Sequence, residues 1–468
     1  MTTLNLFTVL IALVAVGLIV ARPIIGLYVL TACVVLIEAR PLKIPVLTDL
    51  LYVYHWPPEL AGRGERPIGL LILVTLASVI AHRLRRRERA LEGGPLLGPF
   101  AFLLLCVAWG IVRGWAAGGI FKIIVLEVRP FWYLFVAYLL AYNLVSSTRH
   151  VRTVLWVIIL GAGVKALQGL YIYVVVLHGH LELHHEIMAH EESFFLAAAI
   201  LLFVLFFLHH RPYGQYDASL QFLPLMVVVL IANQRRAAYA ALLAGSVVVW
   251  TLAFIAAAPQ GRARLRTIMR LAVPLFVGYV LAFSTDAAFI ARPARALVSL
   301  IYPDPLDKVA TDSGLYRSIE NRALVFTAMQ HPLLGWGFGR QFLQPLTVPD
   351  ISATDRYYLY IPHNTIYWVW MRLGIVGFLA LWYLFGAIAA RGALIAKHVR
   401  DPYRQGIAIF VVAVSIMELV VAAADLQLSA LRNVLYVGLL AGLLMRLPTC
   451  EGDVVSAAAR HEDLTARS

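Results

Sequence analysis

The chain has 468 residues, of which 61% are hydrophobic and 14% are charged, and its mean hydropathy is +0.80. Because soluble domains carry about 25% charged residues, this composition excludes an ordinary soluble protein and predicts an all-α polytopic integral membrane protein. The formal net charge of +13 raises nucleic acid as a partner, but the sequence has no nucleic-acid motif and no P-loop. The three cysteines have no metal-ligand spacing.

Apolar segments of membrane-spanning length recur along the whole chain. They fall at about 4–20, 24–38, 67–82, 96–112, 128–145, 153–177, 193–208, 220–233, 237–257, 268–283, 363–390, 406–424 and 429–446. We therefore expect about 12 or 13 transmembrane helices. Residues 1–20 lack the basic start and polar cleavage zone of a signal peptide, so we expect the first segment to remain in the mature protein.

Basic linkers orient these segments. Four short linkers rich in Lys and Arg fall on one side if the spans alternate: "RLRRRER" (83–89), "TRHVR" (148–152), "RARLR" (262–266) and "KHVRDPYR" (397–404). The positive-inside rule assigns that side to the cytoplasm and accounts for much of the net charge.

The same pattern divides the chain into four parts. We expect an N-terminal transmembrane bundle of about ten spans over 1–283 and an extracytoplasmic loop with amphipathic helices over 284–362. C-terminal transmembrane helices then occupy 363–446, and a disordered cytoplasmic tail follows over 447–468.

Arginines on the outer side call for a functional explanation, because placing a charged side chain in the membrane costs free energy. Arg129 is predicted to open a span, and Arg235 and Arg236 occupy the short turn in "IANQRRAAYA". The outer loop adds Arg317 and Arg322. Arginine binds phosphate with two hydrogen bonds, so a substrate diphosphate at the outer face would explain these residues together. The alternative is that they reach to lipid phosphates.

The loop around these last arginines also has a structural pattern. Residues 316–331 have the apolar spacing of an amphipathic helix, and "GWGFGR" follows it. The glycines allow a tight turn or a close backbone approach. A packed helix that ends in a Pro-Gly turn is the alternative.

A second polar cluster, "HGHLELHHEIMAHEESFF" (178–195), has five histidines and four glutamates. Metal binding by His184, His185 and His190 is one interpretation. The spacing matches no standard zinc site, and HExxH is absent. We therefore expect no metal and no cofactor, and expect His190, Glu191 and Glu192 to enter a cavity and contact charges or sugar hydroxyls.

The stretch "YIPHNTIYWVWMR" (360–372) places His363 and Asn364 at the mouth of an apolar run. Histidine, with an unperturbed pKa of about 6.5, is suited to general-base catalysis. The alternative is that this segment only caps a helix, through Asn364 or Thr365.

Arg372, nine residues after His363, would lie about 13–14 Å further along a helix. That depth is too great for the same diphosphate. We expect a structural pairing with a carboxylate such as Glu418 or Asp425.

Taken together, four segments resemble the O-antigen ligase and polymerase superfamily. They are "NQRRAAYAALLAG", "YRSIENRALVFTAMQHPLLGWGFG", "PHNTIYWVWMRLGIVG" and "HEESFFLAAAILL". The resemblance covers roughly residues 120–390. It implies a GT-C-type glycosyltransferase of the bacterial inner membrane, with its active site facing the exterior.

Such enzymes take a glycan from undecaprenyl diphosphate, without a metal. They transfer it to an acceptor hydroxyl, which belongs to a lipid A–core sugar, another lipid-linked repeat or a protein.

The resemblance also assigns roles residue by residue. The turn arginine of the family corresponds to Arg235 or Arg236, the loop arginine to Arg317 with Arg322 as the second choice, and the histidine to His363. Asn233 and Gln234 stand where the family commonly has serine, which leaves the substrate open. Arg129 joins the expected diphosphate contacts. Glu191, Glu192, His190 and Asn364 are expected to support the acceptor.

Two other classes of function remain. A transporter or flippase of an anionic or lipid-linked substrate would also use membrane arginines, although the polar groups gather on one side and we detect no internal repeat. A non-catalytic subunit of a polysaccharide assembly machine would not need His363 and Asn364 beside arginines. Glycan transfer in proteoliposomes without a gradient or nucleotide discriminates these classes from an enzyme.

Overall fold

The structure is a computed structural model that describes residues 3–38, 67–181, 187–209, 212, 214–302, 308–353 and 355–450. Within these ranges it contains fifteen α-helices. They are α1 Thr3–Ala21, α2 Ile24–Leu36, α3 Pro67–Arg85, α4 Leu97–Ala116, α5 Phe121–Leu144, α6 Thr148–Tyr171, α7 His190–Leu208, α8 Gln215–Ala232, α9 Arg236–Ala256, α10 Pro259–Phe283, α11 Arg292–Val298, α12 Lys308–Gln330, α13 Thr365–His398, α14 Pro402–Ala422 and α15 Leu431–Arg446.

Eleven helices of the described residues are long and apolar enough to cross a membrane. They are α3–α10 and α13–α15, and α6 continues through a π-helical turn, Ile172–Val176. The apolar stretches Leu10–Ala21 in α1 and Ile24–Leu36 are shorter. All thirteen predicted apolar segments are therefore helical, which confirms a polytopic all-helical membrane protein.

The last two spans form the centre of the bundle. Some 83% of the apolar window of α14 and 89% of that of α15 is buried, against 6% for α10. α15 packs on α5 so closely that a Cβ added at Gly438 or Gly442 would lie 2.4 Å from the carbonyl oxygens of Leu134 or Tyr138. Small residues permit this close contact between membrane helices.

Residues 332–340, which we call the glycine knot, join the loop to the bundle through backbone hydrogen bonds. α13 is interrupted at Gly374, which has φ 69° and ψ −173°. Ile375 N donates to Pro332 O at 2.8 Å, and Trp336 N donates to Met371 O at 2.7 Å. The break in α13 thus exposes backbone groups that the knot pairs with.

The knot continues to α4 and α5. Phe338 N donates to Gly110 O at 3.2 Å, and Ile120 N donates to Gly339 O at 2.9 Å. Gly337 has φ 87°, and a Cβ there would lie 2.5 Å from Gly114 N. The glycines therefore provide the expected close backbone approach, and they make it to helices of the bundle.

Arg372 stabilises the contact between the glycine knot and the bundle from a buried position. Its NH2 lies 2.5 Å from Glu127 Oε1, and both side chains are fully buried. It also donates to Gly337 O at 2.9 Å and Tyr360 O at 2.8 Å. The expected pairing with Glu418 or Asp425 is wrong, because the broken turn of α13 faces α5, which carries Glu127.

Candidate active site

His363 and Glu320 form a hydrogen-bonded pair at the end of the bundle that carries the loop, which we call the loop end. Glu320 lies on α12 and is fully buried, whereas 22% of the His363 side chain is exposed. Glu320 Oε2 accepts from His363 N at 3.0 Å, and Oε1 lies 3.1 Å from Nδ1. A carboxylate at Nδ1 favours the tautomer with its proton there, so Nε2 is left as the acceptor.

The residues after His363 anchor it. Asn364 Oδ1 accepts from Tyr367 N at 3.0 Å and caps α13. The Thr365 hydroxyl lies 2.9 Å from Ala422 O and 3.1 Å from Asp425 O. Asn364 is therefore a helix cap that fixes His363, and Thr365 ties this helix start to the turn after α14.

That turn presents Asp425 to the arginines. Asp425 Oδ2 lies 3.0 Å from His190 Nδ1. Burial acts to raise the pKa of Asp425, but the hydrogen bond and charge of His190 and the charges of Arg235 and Arg317 outweigh it and hold that pKa well below its usual range. Asp425 is thus a carboxylate at neutral pH that interacts electrostatically with two arginines from different elements.

Arg235 lies at the N-cap of α9. Burial lowers the pKa of its guanidinium to about 10; Asp425 opposes this shift and Arg317 adds to it. Arg235 and Arg317 are therefore close enough to repel each other, although they come from a turn and from the loop. The sequence prediction that these arginines belong together is consistent with this geometry.

Asn233 connects the turn that carries Arg235 and Arg236 to the start of α7. The amide is fully buried and donates from Nδ2 to Ser193 Oγ at 2.7 Å, while Oδ1 accepts from Met188 N at 2.9 Å. These bonds hold the start of α7 against the arginine turn and so bring His190 to Asp425. The departure from serine at this position therefore has a structural reason.

Arg317 and Arg322 line an open cleft of 620 Å³ along α12. Arg317 Nε is a buried atom without a hydrogen-bond partner among the described residues, whereas Arg322 is exposed. Tyr367, one turn after His363, forms the opposite wall. The cleft thus joins the loop arginines to the start of α13.

Glu192 lies outside this cleft. It is fully buried, accepts a short hydrogen bond from Arg432 NH1, and lies 3.5 Å from Lys165 Nζ. Lys165 in turn lies 2.5 Å from Glu38 Oε1. Glu192 thus belongs to a buried ionic network among α2, α6, α7 and α15, where it cannot reach an acceptor, so the expected acceptor role is corrected to a structural one.

The remaining predicted residues lie near these groups. Glu191 is half-buried beside His190, and Arg236 begins α9 next to Arg235. Arg129 lies two turns inside α5, two residues from Glu127, and does not open the span as expected. No group of three His, Cys, Asp or Glu side chains converges as a metal site in the part of the chain described. His184 and His185 fall outside that part.

Sequence reasoning missed two residues of this site. Glu320 is three residues after Arg317, a spacing that places both on one helix face, so that signal was available. Asp425 lies in the short linker between α14 and α15, and its sequence position suggests only a partner for Arg372. Its contact with His190 joins positions 235 residues apart, which periodicity does not encode.

This site belongs to a polytopic membrane protein whose arginines, histidine and carboxylates meet at one end of the bundle. Residues 221–382 match the family model described as O-antigen ligase. This span contains the arginine turn, the loop and His363, and the match supports membership of the O-antigen ligase and polymerase superfamily, as the resemblance indicated. A search of curated proteins finds no match. The family implies a glycosyltransferase of ligase or polymerase type that acts on a lipid-linked glycan and an acceptor.

Proposed function

We propose that the protein is a metal-independent inverting glycosyltransferase that moves a glycan from undecaprenyl diphosphate to an acceptor hydroxyl. We place the reaction at the outer face of a bacterial inner membrane, with the loop end outward. The observation that carries the proposal is the His363–Glu320 pair, with Arg317 three residues before Glu320 on the same helix, α12. These residues provide a base, His363, whose Nε2 is free to take a proton, and a cation, Arg317, for the leaving diphosphate.

The reaction needs two groups to act together. The acceptor oxygen attacks the anomeric carbon, its proton passes to His363 Nε2, and the bond from that carbon to the diphosphate oxygen breaks. Base catalysis of this kind contributes about 10²–10⁴-fold. Glu320 stabilises the imidazolium that forms, as a buried carboxylate does in other catalytic pairs.

The second requirement is a group that stabilises the negative charge of the leaving diphosphate. Arg235 and Arg317 both interact electrostatically with Asp425, and we assign both to the developing negative charge, with Arg236 and Arg322 as further candidates. Preorganised cations in a water-poor site stabilise such charge strongly. Arg129 remains a weaker candidate for the same contact, and His190 and Glu191 for the acceptor.

Purified protein in proteoliposomes with a lipid-linked glycan donor and an acceptor tests the proposal. We expect transfer without a gradient, nucleotide or added metal, and expect it to survive a chelator. Transfer should be lost in His363→Ala while the protein stays folded and membrane-inserted. Full activity of that variant would refute the base assignment, and movement of the donor across the bilayer without transfer would favour the transporter.

Ligase and polymerase share the donor and differ in the acceptor. Deleting the gene and separating the cell's glycans on a gel distinguishes them. Loss of glycan from lipid A–core indicates a ligase, and accumulation of single repeats indicates a polymerase. Loss of a glycoprotein indicates a protein glycosyltransferase.

A further inference from the structure

A second group of basic side chains lies at the loop end, away from the cleft. It consists of Arg113 near the end of α4, His331 just before the glycine knot and Arg340 at the last position of the knot, and we call it the basic patch. From Arg317 to His331 the chain follows α12 for 14 residues, which is about 21 Å along a helix. His331 therefore lies apart from Arg317, the loop arginine that we place in the active site.

The two arginines are held side by side by the knot itself. Arg113 Nε donates to Gly335 O, and Arg340 NH1 donates to Trp336 O at 3.3 Å. These acceptors belong to consecutive residues. The Arg340 guanidinium also stacks on the Trp336 ring, 3.7 Å from its centroid. Each guanidinium has five N–H donors, so most donors of both remain after these contacts.

The charges of the patch are not balanced from within. Among the described residues, no carboxylate forms an ion pair with Arg113, Arg340 or His331. The nearby carboxylate of Glu127 is bonded to Arg372, Gly339 N and Trp368 instead. Like charges held together without a counterion are unfavourable, and an anion that binds there relieves this cost.

The pKa values of Arg340 and His331, which lie outside the membrane-spanning helices, are lowered first by burial and then by neighbouring positive charge. Burial lowers the pKa of Arg340, and the charge of Arg113 lowers it further. Burial, then Arg113 and then Arg340 lower the pKa of His331. The positive charge of Arg113 therefore disfavours positive charge on Arg340 and on His331.

Apolar side chains next to the patch indicate where the anion comes from. Leu333 and Leu334 of the knot are 64% and 47% exposed, and Trp109 is 45% exposed while its Nε1 donates to Leu334 O at 3.3 Å. Exposed leucine and a hydrogen-bonded indole are typical of the boundary between headgroups and acyl chains. These surroundings fit a lipid headgroup whose acyl chains lie against the leucines.

We propose that the basic patch is a binding site for the phosphate of an anionic membrane lipid. Arg113 and Arg340 hold the phosphate with paired N–H donors, His331 lies at its edge, and Leu333, Leu334 and Trp109 contact the acyl chains. The lipid thereby stabilises the knot that fixes the loop to the bundle. This site is independent of the glycosyl transfer proposed above.

Native mass spectrometry of the full-length protein in detergent tests this site. The protein is titrated with phosphatidylglycerol, with the zwitterionic phosphatidylcholine, and with phosphatidylglycerol in the presence of inorganic phosphate. We expect one phosphatidylglycerol bound more tightly than the rest. Charge-assisted hydrogen bonds are the strong ones, so Arg113→Gln/Arg340→Gln should weaken this binding by about tenfold or more.

Two further variants make the result decisive. Arg340→Gln alone should also weaken binding. Because it keeps the bond from Arg113 to the knot, it provides the test if the double variant fails to fold. Arg264→Gln/Arg266→Gln removes two exposed arginines of α10 and should leave the tight site unchanged. Equal losses in both double variants, or no loss in Arg340→Gln, would overturn the proposal. Displacement by millimolar inorganic phosphate would assign the patch to a soluble anion instead.

Discussion

Glu320 accepts a hydrogen bond from the backbone N–H of His363 at 3.0 Å and lies 3.1 Å from its Nδ1. If Glu320 positions His363 as a base, Glu320→Gln should lower kcat by no more than the 10²–10⁴-fold contribution of the base itself. The double variant Glu320→Gln/His363→Ala should then be no slower than His363→Ala, because residues that act as a unit are not additive.

The measurement is the turnover of lipid-linked donor at saturating acceptor in proteoliposomes. Asp312→Asn serves as the matched control, because it removes an exposed carboxylate from the same helix, and it should leave kcat unchanged. Additive losses in the double variant would show that Glu320 acts independently of His363.

The two loop arginines should differ in their effect. Arg317 is partly buried, its Nε has no hydrogen-bond partner in the described part of the chain, and its charge interacts with Arg235 and Asp425, whereas Arg322 is exposed. We expect Arg317→Ala to lower kcat by about 10²–10³-fold, the loss typical of one preorganised donor. Arg322→Ala should lower it by less than tenfold. The same transfer assay decides, and a larger loss for Arg322 would reassign the loop arginine of the family.

Asp425 should stabilise the loop end at every working pH. Its pKa is held below its usual value, so its contribution is fully present above the unfolded pKa of about 3.9 and is lost as the pH falls through the folded pKa. Asp425→Asn should therefore lower the Tm by a similar amount from pH 5 to pH 8 and also slow transfer. A scan of Tm against pH for both proteins tests this, and a gap that closes near pH 6 would contradict it.

The glycine knot should not accept a side chain at Gly337. Gly337→Ala places a methyl group 2.5 Å from Gly114 N in addition to the cost of φ 87°. Gly118 has a comparable φ of 82° and open space around it, so Gly118→Ala isolates the backbone cost. That cost is about 1–2 kcal/mol, and overpacking adds about 1–3 kcal/mol.

We therefore expect a clearly lower Tm for Gly337→Ala than for Gly118→Ala, measured by thermal unfolding in the same detergent. Equal Tm values would mean that the knot adapts to the methyl group.

The sequence predicts the helices well and the long-range partners poorly. Hydropathy locates the spans because each is a continuous apolar run, and the arginine turn and His363 stand out as polar exceptions. Glu127 is a different case: it lies inside a span, and its pairing with Arg372 depends on the break at Gly374. Glu192 appears equivalent to its neighbours Glu191 and His190 along the chain, yet its position on α7 turns it toward Arg432.

α10 has a consequence for how the protein is handled. Only 6% of its apolar window is covered by protein, and it packs on α9 and α11 at the base of the loop. In a purified sample, detergent or lipid therefore covers almost all of this helix. Harsh, short-chain detergents should disturb α10 before the rest of the bundle, so preparations should lose activity on delipidation and regain it when lipid is returned.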